Sequence, residues 1–232
     1  MRFQEMVCRL RPLVLVTTSA VVLLLMLFSG GARSDDVAVA SPPAAMAVAP
    51  DRYVIDASAS KFMARGHAGG LLWFKGHDHY LAVREFSGEV DITPGVIVPA
   101  SMRLVAKTAS IEETGAVFTA EQKKIINKEL HDIVFHPDQY PEITFQSTSV
   151  TSKPAANGQF DVKIAGNLTL LGVTRPETIE AKVEVKGNDL RAVGEFSIDR
   201  DDYKVKATSA FHGMVRVQNK VTFTFDIVSR RS

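Results

Sequence analysis

HPDQYPEITFQSTSV at 136–150 and GNLTLLGVTRP at 166–176 are the stretches whose reading decides the fold. Each holds a strand-like run fenced by Pro or Gly, the residues that punctuate regular structure. Set about fifteen residues apart, with further strands following one another along the chain without βαβ spacing, they announce an antiparallel β protein.

The same pattern continues outward from this pair. Val221, Phe223, Phe225 and Ile227 alternate with Thr222, Thr224 and Asp226. Phe160, Val162 and Ile164 alternate with Asp161 and Lys163, and Ile179, Ala181, Val183 and Val185 with Glu180, Lys182 and Glu184. A period of two gives strands with one dry and one wet face. Turn signals separate them at Asn157-Gly158, at Gly187-Asn188-Asp189 and from Gly172 to Pro176. One segment departs from the period. Thr119-Ala-Glu-Gln has the form of a capping box, and Ile125, Ile126 and Leu130 recur at helical spacing. A helix is expected near 120–130. The fold class is therefore all-β: one antiparallel sheet of about eight strands, closed into a barrel to remove its edges, with one α-helix.

The N-terminal segment is expected to lie outside that domain. Arg2, Arg9 and Arg11 precede an uncharged, mostly apolar run at 13–28, and Gly30 and Ala32 supply small residues at signal-peptidase spacing. Residues 1–32 thus read as a signal peptide, 33–50 as a flexible linker and 51–232 as the barrel. The alternative is an uncleaved anchor, although the run falls short of the roughly 17–25 residues of a membrane span. A cleaved signal makes the protein periplasmic or secreted. Cys8, the chain's one cysteine, would be lost with it, so no disulfide can support the barrel and stability must come from an apolar core. Of 27 basic and 26 acidic residues, Arg2, Arg9, Arg11, Arg33, Glu5, Asp35 and Asp36 precede residue 51, which leaves the barrel balanced. Nucleic acid, which demands an excess of Lys and Arg, is excluded as a partner.

Four motifs carry a resemblance to a known family: YVIDASAS at 53–60, HPDQYPEITFQST at 136–148, GNLTLLGVTRP at 166–176 and GEFSIDRDDY at 194–203. Together they resemble the YceI-like family of exported, lipocalin-like proteins. That resemblance implies an extended barrel with one helix and an apolar channel holding a polyisoprenoid or quinone-type lipid, as carrier, scavenger or reservoir. Two departures stand out. Lys204 occupies a position where many members have Gly, so that turn is expected to differ. LLWFKGHDHYL at 71–81 resembles a branch carrying a Gly-His-Asp-His element.

On this reading Phe62, Leu72, Phe74, Phe145, Phe223 and Phe225 line the channel, and His77 and His79 stand by the lipid head at its mouth. Phe160 and Phe196 belong to the same apolar set. Periodicity is equally consistent with a structural barrel whose core is filled; the channel comes from the resemblance alone. A lipid cargo would be exchanged at a membrane surface, and a homodimer stays open. The other alternative is a periplasmic metal-binding or redox-accessory protein. In a strand His77 and His79 share a face, and His67, His131, His136 or His212 would complete a metal site. The bland reading of the same cluster is a polar turn. Catalysis is not expected: the chain has no GxSxG elbow, no Gly-rich phosphate loop and no nucleophilic cysteine beyond its leader. Asn167-Leu-Thr fits a glycosylation sequon but falls within an expected strand.

Overall fold

The computed structural model describes residues 49–93, 97–98, 100–210 and 214–232. The expected signal peptide, most of the expected linker and His212 lie outside the described residues. The strands are β1 (Asp51–Ile55), β2 (Lys61–Gly69), β3 (His79–Val83), β4 (Phe86–Ile92), β5 (Ala100–Lys107), β6 (Ile111–Glu113), β7 (Glu142–Pro154), β8 (Gln159–Leu170), β9 (Val173–Lys186), β10 (Asp189–Asp199), β11 (Ser209–Ala210) and β12 (Val215–Arg231). Three pairs are single strands bent once. β1 pairs with β4 while β2 pairs with β3, and β4 pairs with β5 while β3 pairs with β6. With each bent pair taken as one, and the two-residue β11, which only flanks β12, set aside, eight antiparallel strands follow chain order around a closed barrel.

β12 closes the ring. One edge runs along β10 from Asp189↔Arg230 to Asp199↔Lys220. The other pairs first with β2, from Arg216↔Gly69 to Asp226↔Lys61, and then with β1, from Ile55↔Ser229 to Tyr53↔Arg231. The bend between β1 and β2 has a local cause. Asp56 accepts the N–H groups of Ser58 at 3.1 Å and Ala59 at 3.2 Å, winding a single turn where the strand would otherwise continue. A second bend, Thr108–Ser110, is anchored by the buried Thr108 hydroxyl, which donates to the Tyr140 carbonyl at 2.6 Å.

Helix α1 (Ala120–Glu129) begins on the expected capping box: the Gln122 N–H donates to Thr119 Oγ1 at 3.3 Å and the Thr119 N–H to Gln122 Oε1 at 2.8 Å. It does not stop near 130. A wider-wound turn, Leu130–Phe135, extends it and buries Leu130, Val134 and Phe135. His136 then enters the left-handed region at φ +46°, ahead of Pro137, which disfavours right-handed helix at the preceding residue.

The turn at Lys204 keeps a left-handed conformation, φ +58°, that a Gly would adopt without strain. What holds it is next door. Tyr203 is fully buried and donates its hydroxyl to Glu177 Oε1 at 2.7 Å. Burial first, and then that bond, pushes the Tyr203 phenol well above its ordinary pKa, so it remains a donor across the physiological range.

Inside the barrel, two glycines share space with two rings. A Cβ on Gly166 would fall on the Phe145 ring and 2.6 Å from the Gln146 carbonyl oxygen. Gly194 stands in the same relation to Phe225. Each ring lies over a position that carries no side chain, so bulk is spread along the wall. Gly166→Val is therefore expected to destabilise the barrel by about 1–3 kcal/mol, the range for overpacking, despite valine's higher β-propensity. Urea unfolding followed by circular dichroism measures it; an unchanged midpoint would contradict this packing.

Candidate functional site

The barrel encloses a cavity of about 200 Å³ whose wall is almost wholly apolar. Phe62, Phe145, Phe196, Phe223 and Phe225 line it, with Phe135 from the turn after α1. The rings support one another: Phe196 and Phe223 stack at 4.9 Å between centroids, and Phe62 lies 6.1 Å from Phe223. Along β12 the lining extends from Val217 to Ser229. At about 3.3 Å per residue, and with strands tilted about 40°, that corresponds to roughly 30 Å along the barrel axis. The shape is long and narrow.

The two ends differ. At the end where β12 meets β1, Ser229 is fully buried, and its Oγ has no hydrogen-bond partner among the described residues. At the other end the wall includes His79, Glu129, Arg200, Lys206 and Thr208. A second, outer space of about 330 Å³ adjoins this end and shares His79, Ile126, Glu129, Thr208 and Val217 with the first. Lys75, His77, Phe118, Ile125 and Arg216 are among its other lining residues. It forms a vestibule to the channel, polar on one side and apolar on the other.

β3 begins only at His79, so His77 and Asp78 lie in the extended segment before it, yet the three side chains alternate as along a strand. His77 and His79 both meet Phe118, His77 by its edge at 5.9 Å and His79 stacked at 5.2 Å. Asp78 turns the other way. It accepts Arg65 Nη2 at 2.6 Å and the Ala68 N–H at 2.9 Å, and His67 Nδ1 lies 3.4 Å away. Burial raises the Asp78 pKa, but the Ala68 N–H and Arg65 outweigh it and hold the group below the ordinary carboxylate value.

His79 owes its orientation to Glu113. Its Nδ1 lies 2.7 Å from Glu113 Oε2, which leaves Nε2 as the nitrogen free of that bond. The Glu113 side chain is wholly buried, and its Oε1 accepts the N–H groups of Gly115 at 2.6 Å and Tyr80 at 3.2 Å. Burial would raise its pKa, but the bonds from His79, Gly115 and Tyr80 prevail and lower it. A buried carboxylate with its acceptor sites filled is a rigid support for the imidazole at the mouth.

Of the residues expected from sequence, Phe62, Phe145, Phe223 and Phe225 line the channel, His79 its mouth and His77 the vestibule. Phe160 packs on the core without reaching the cavity. Leu72 and Phe74 require a correction. The chain leaves β2 through Gly70 at φ +88° and turns outward, so neither residue lines the cavity and Phe74 is 63% exposed. Among the described residues no three His, Cys, Asp or Glu side chains converge on a metal position. Glu113, Phe118, Arg200, Lys206 and Thr208 were not foreseen; only the fold brings them to the mouth.

A closed eight-stranded antiparallel barrel with a narrow apolar lumen and one polar end defines a lipocalin-like protein. The family profile described as YceI-like domain matches residues 53–229, and the chain belongs to that family. A UPF0312 protein of Vibrio parahaemolyticus is 36% identical over 104 residues, 45% of this chain and 49% of that protein. Protein YceI of Escherichia coli is 49% identical over 51 residues, 22% of this chain and 24% of its own length. The chain thus spans about half or less of the curated relatives it matches. Among solved structures, Burkholderia cenocepacia BcnA superposes with a TM-score of 0.58 at 21% identity, over 75% of this chain and 98% of that one. The Campylobacter jejuni YCEI protein superposes at 0.51 and 16% identity, over 66% and 84%. At these identities the structural likeness shows the fold.

Because the folded pKa of Glu113 lies below its unfolded value, its stabilisation is complete above the ordinary carboxylate pKa of about 4.3. It is lost as pH falls through the folded value. Glu113→Gln, which removes charge-assisted bonds, is expected to cost about 1.5–3 kcal/mol at pH 7. The gap to wild type should narrow steadily below pH 4. Thermal melts across pH 3–7 read both effects, and a gap independent of pH would contradict an ionised Glu113.

Proposed function

We propose that this protein is an exported lipid-binding barrel that sequesters or carries a long-chain isoprenoid or quinone-type lipid. The observation that carries the reading is the channel: long, narrow, walled by aromatic and aliphatic side chains, and polar at only one mouth. Such a wall rewards an extended hydrocarbon with about 25 cal/mol for each Å² of apolar surface removed from water. The polar head would rest at the vestibule, within reach of His79 and Thr208, with His77 and Phe118 beside it. On this reading the protein is a binding protein rather than an enzyme, and its cargo is its only cofactor. Residues 1–32 would direct it to the periplasm or the exterior. Among the described residues no helix is long and apolar enough to cross a membrane. Membership of the YceI-like family supports the same reading.

Protein purified from its native compartment should release a stoichiometric long-chain lipid on extraction with organic solvent, identified by mass spectrometry. Phe225 supplies the mutational test, because its ring faces the lumen from the middle of β12. In a filled core Phe→Ala costs about 3–5 kcal/mol. Here Phe225→Ala is expected to cost less in the lipid-free protein, since it widens an existing space, and to weaken lipid binding. Phe225→Trp should block the lumen while the barrel still melts cooperatively. A Trp variant that unfolds, together with wild type that takes up no long-chain isoprenoid, would overturn the proposal.

A further inference from the structure

The loop from Gly70 to Gly76 carries side chains that neither the core nor the channel uses. Leu71 is 78% exposed, Trp73 61% and Phe74 63%. Trp73 and Phe74 meet edge to face at 6.4 Å, one apolar projection rather than two scattered rings. The loop is ordered from beneath: the Leu72 N–H donates to the Met214 carbonyl at 2.9 Å, and Met214 is itself 39% exposed. The Lys75 and Gly76 N–H groups close the turn onto the carbonyls of Leu72 and Trp73. A tethered loop that presents tryptophan, phenylalanine and leucine to water is costly unless something covers it.

The surroundings indicate what covers it. Lys75 and Gly76 at the end of this loop form part of the vestibule wall, so the projection stands beside the mouth of the channel. Helix α1 adds Ile125, 62% exposed, to the same vestibule. The fixed charges lining that space are Lys75 and Arg216 against Glu129, an excess of cations in a domain whose charges otherwise balance. Aromatic side chains flanked by Lys and Arg are the composition that settles at a bilayer interface, rings at headgroup depth and cations among phosphates.

We propose that the Gly70–Gly76 loop docks the open end of the barrel onto the surface of a membrane containing anionic lipid. Leu71, Trp73 and Phe74 enter the interfacial layer while Lys75 and Arg216 face headgroup phosphates. In that pose the vestibule faces the bilayer, and a hydrocarbon chain can pass between membrane and lumen without crossing water. Docking is read separately from cargo binding, so either can fail without the other.

Trp73 is the only tryptophan in the chain and therefore its own probe. Full-length mature protein is titrated with vesicles of phosphatidylcholine and phosphatidylglycerol in equal parts. The emission of Trp73 is expected to shift to the blue and to be quenched by lipids brominated near the headgroup end of the acyl chain. Leu71→Ser with Phe74→Ser keeps the probe, removes two mostly exposed side chains outside the core, and should weaken vesicle partitioning at least tenfold with a nearly unchanged melting temperature. Lys75→Gln with Arg216→Gln should remove the preference for phosphatidylglycerol over pure phosphatidylcholine, a preference on the order of thirtyfold for two cations at an anionic surface. An emission spectrum that vesicles leave unchanged would overturn the proposal. So would a blue shift that grows with protein concentration in the absence of vesicles, because a second copy of the chain would then cover the loop.

Discussion

The pairing of β12 with both ends of the chain's first bent strand is the constraint on which the rest depends. β12 spans Val215–Arg231, long enough to serve β10 on one edge and both β2 and β1 on the other. Without that closure the sheet would have two long edges of unpaired backbone groups, a template for aggregation. With it, the inward positions between the two ends face an almost wholly apolar lumen. Alternation along the strands then becomes obligatory: Val221, Phe223, Phe225 and Ile227 must be apolar, whereas Thr222 and Thr224 need not be.

Closure alone gives a filled cylinder or a hollow one, and the difference lies in how bulk is distributed. An eight-stranded barrel has an interior just wide enough for side chains or one small ligand. In this chain large rings lie over glycines rather than over other large side chains, with Phe145 on Gly166 and Phe225 on Gly194. The rings lie along the wall and a lumen remains between them. Ser229 shows the cost of that choice, a buried hydroxyl that finds no hydrogen-bond partner among the described residues.

Much of this was legible in the sequence because alternation is a local property. The strands, the turns at Asn157-Gly158 and Gly187-Asn188, and the capping box at Thr119 are each written within a few consecutive residues. The lumen-facing phenylalanines followed from the same period. What escaped depends on contacts between distant segments. Glu113 is one of two adjacent glutamates, and only the pairing of β6 with β3 decides that it turns inward to His79 while Glu112 turns out to Arg84. Leu72 and Phe74 failed for the opposite reason. Apolar letters beside a histidine motif suggested a wall, but the left-handed step at Gly70 turns the chain away from the barrel. The extension of α1 through Phe135 was missed because a wider-wound turn breaks the helical spacing that revealed its start.

The bends in the first three strands tie this architecture to the mouth. A straight β1–β2 and β3–β4 would carry the sheet on evenly and leave no reason for one rim to differ from the other. Bent at Asp56 and again at Thr108–Ser110, the strands separate into one half, where β1, β4 and β5 join β12 to β7, and a second half where β2, β3 and β6 extend from the other stretch of β12 and end at β6. The free edge of β6 is not left to water: the Glu113 N–H donates to Asn127 Oδ1 on α1 at 2.8 Å. The helix therefore completes the wall where the ladder stops, through a side chain rather than a backbone pairing. With the bond from Lys123 Nζ to the Thr114 carbonyl at 3.2 Å, this seam rests on two side-chain bonds of about 1 kcal/mol each, weaker than a strand ladder that sums many. Local opening should accordingly begin along this seam, beside His79 and the vestibule, while the β7–β10 wall stays closed.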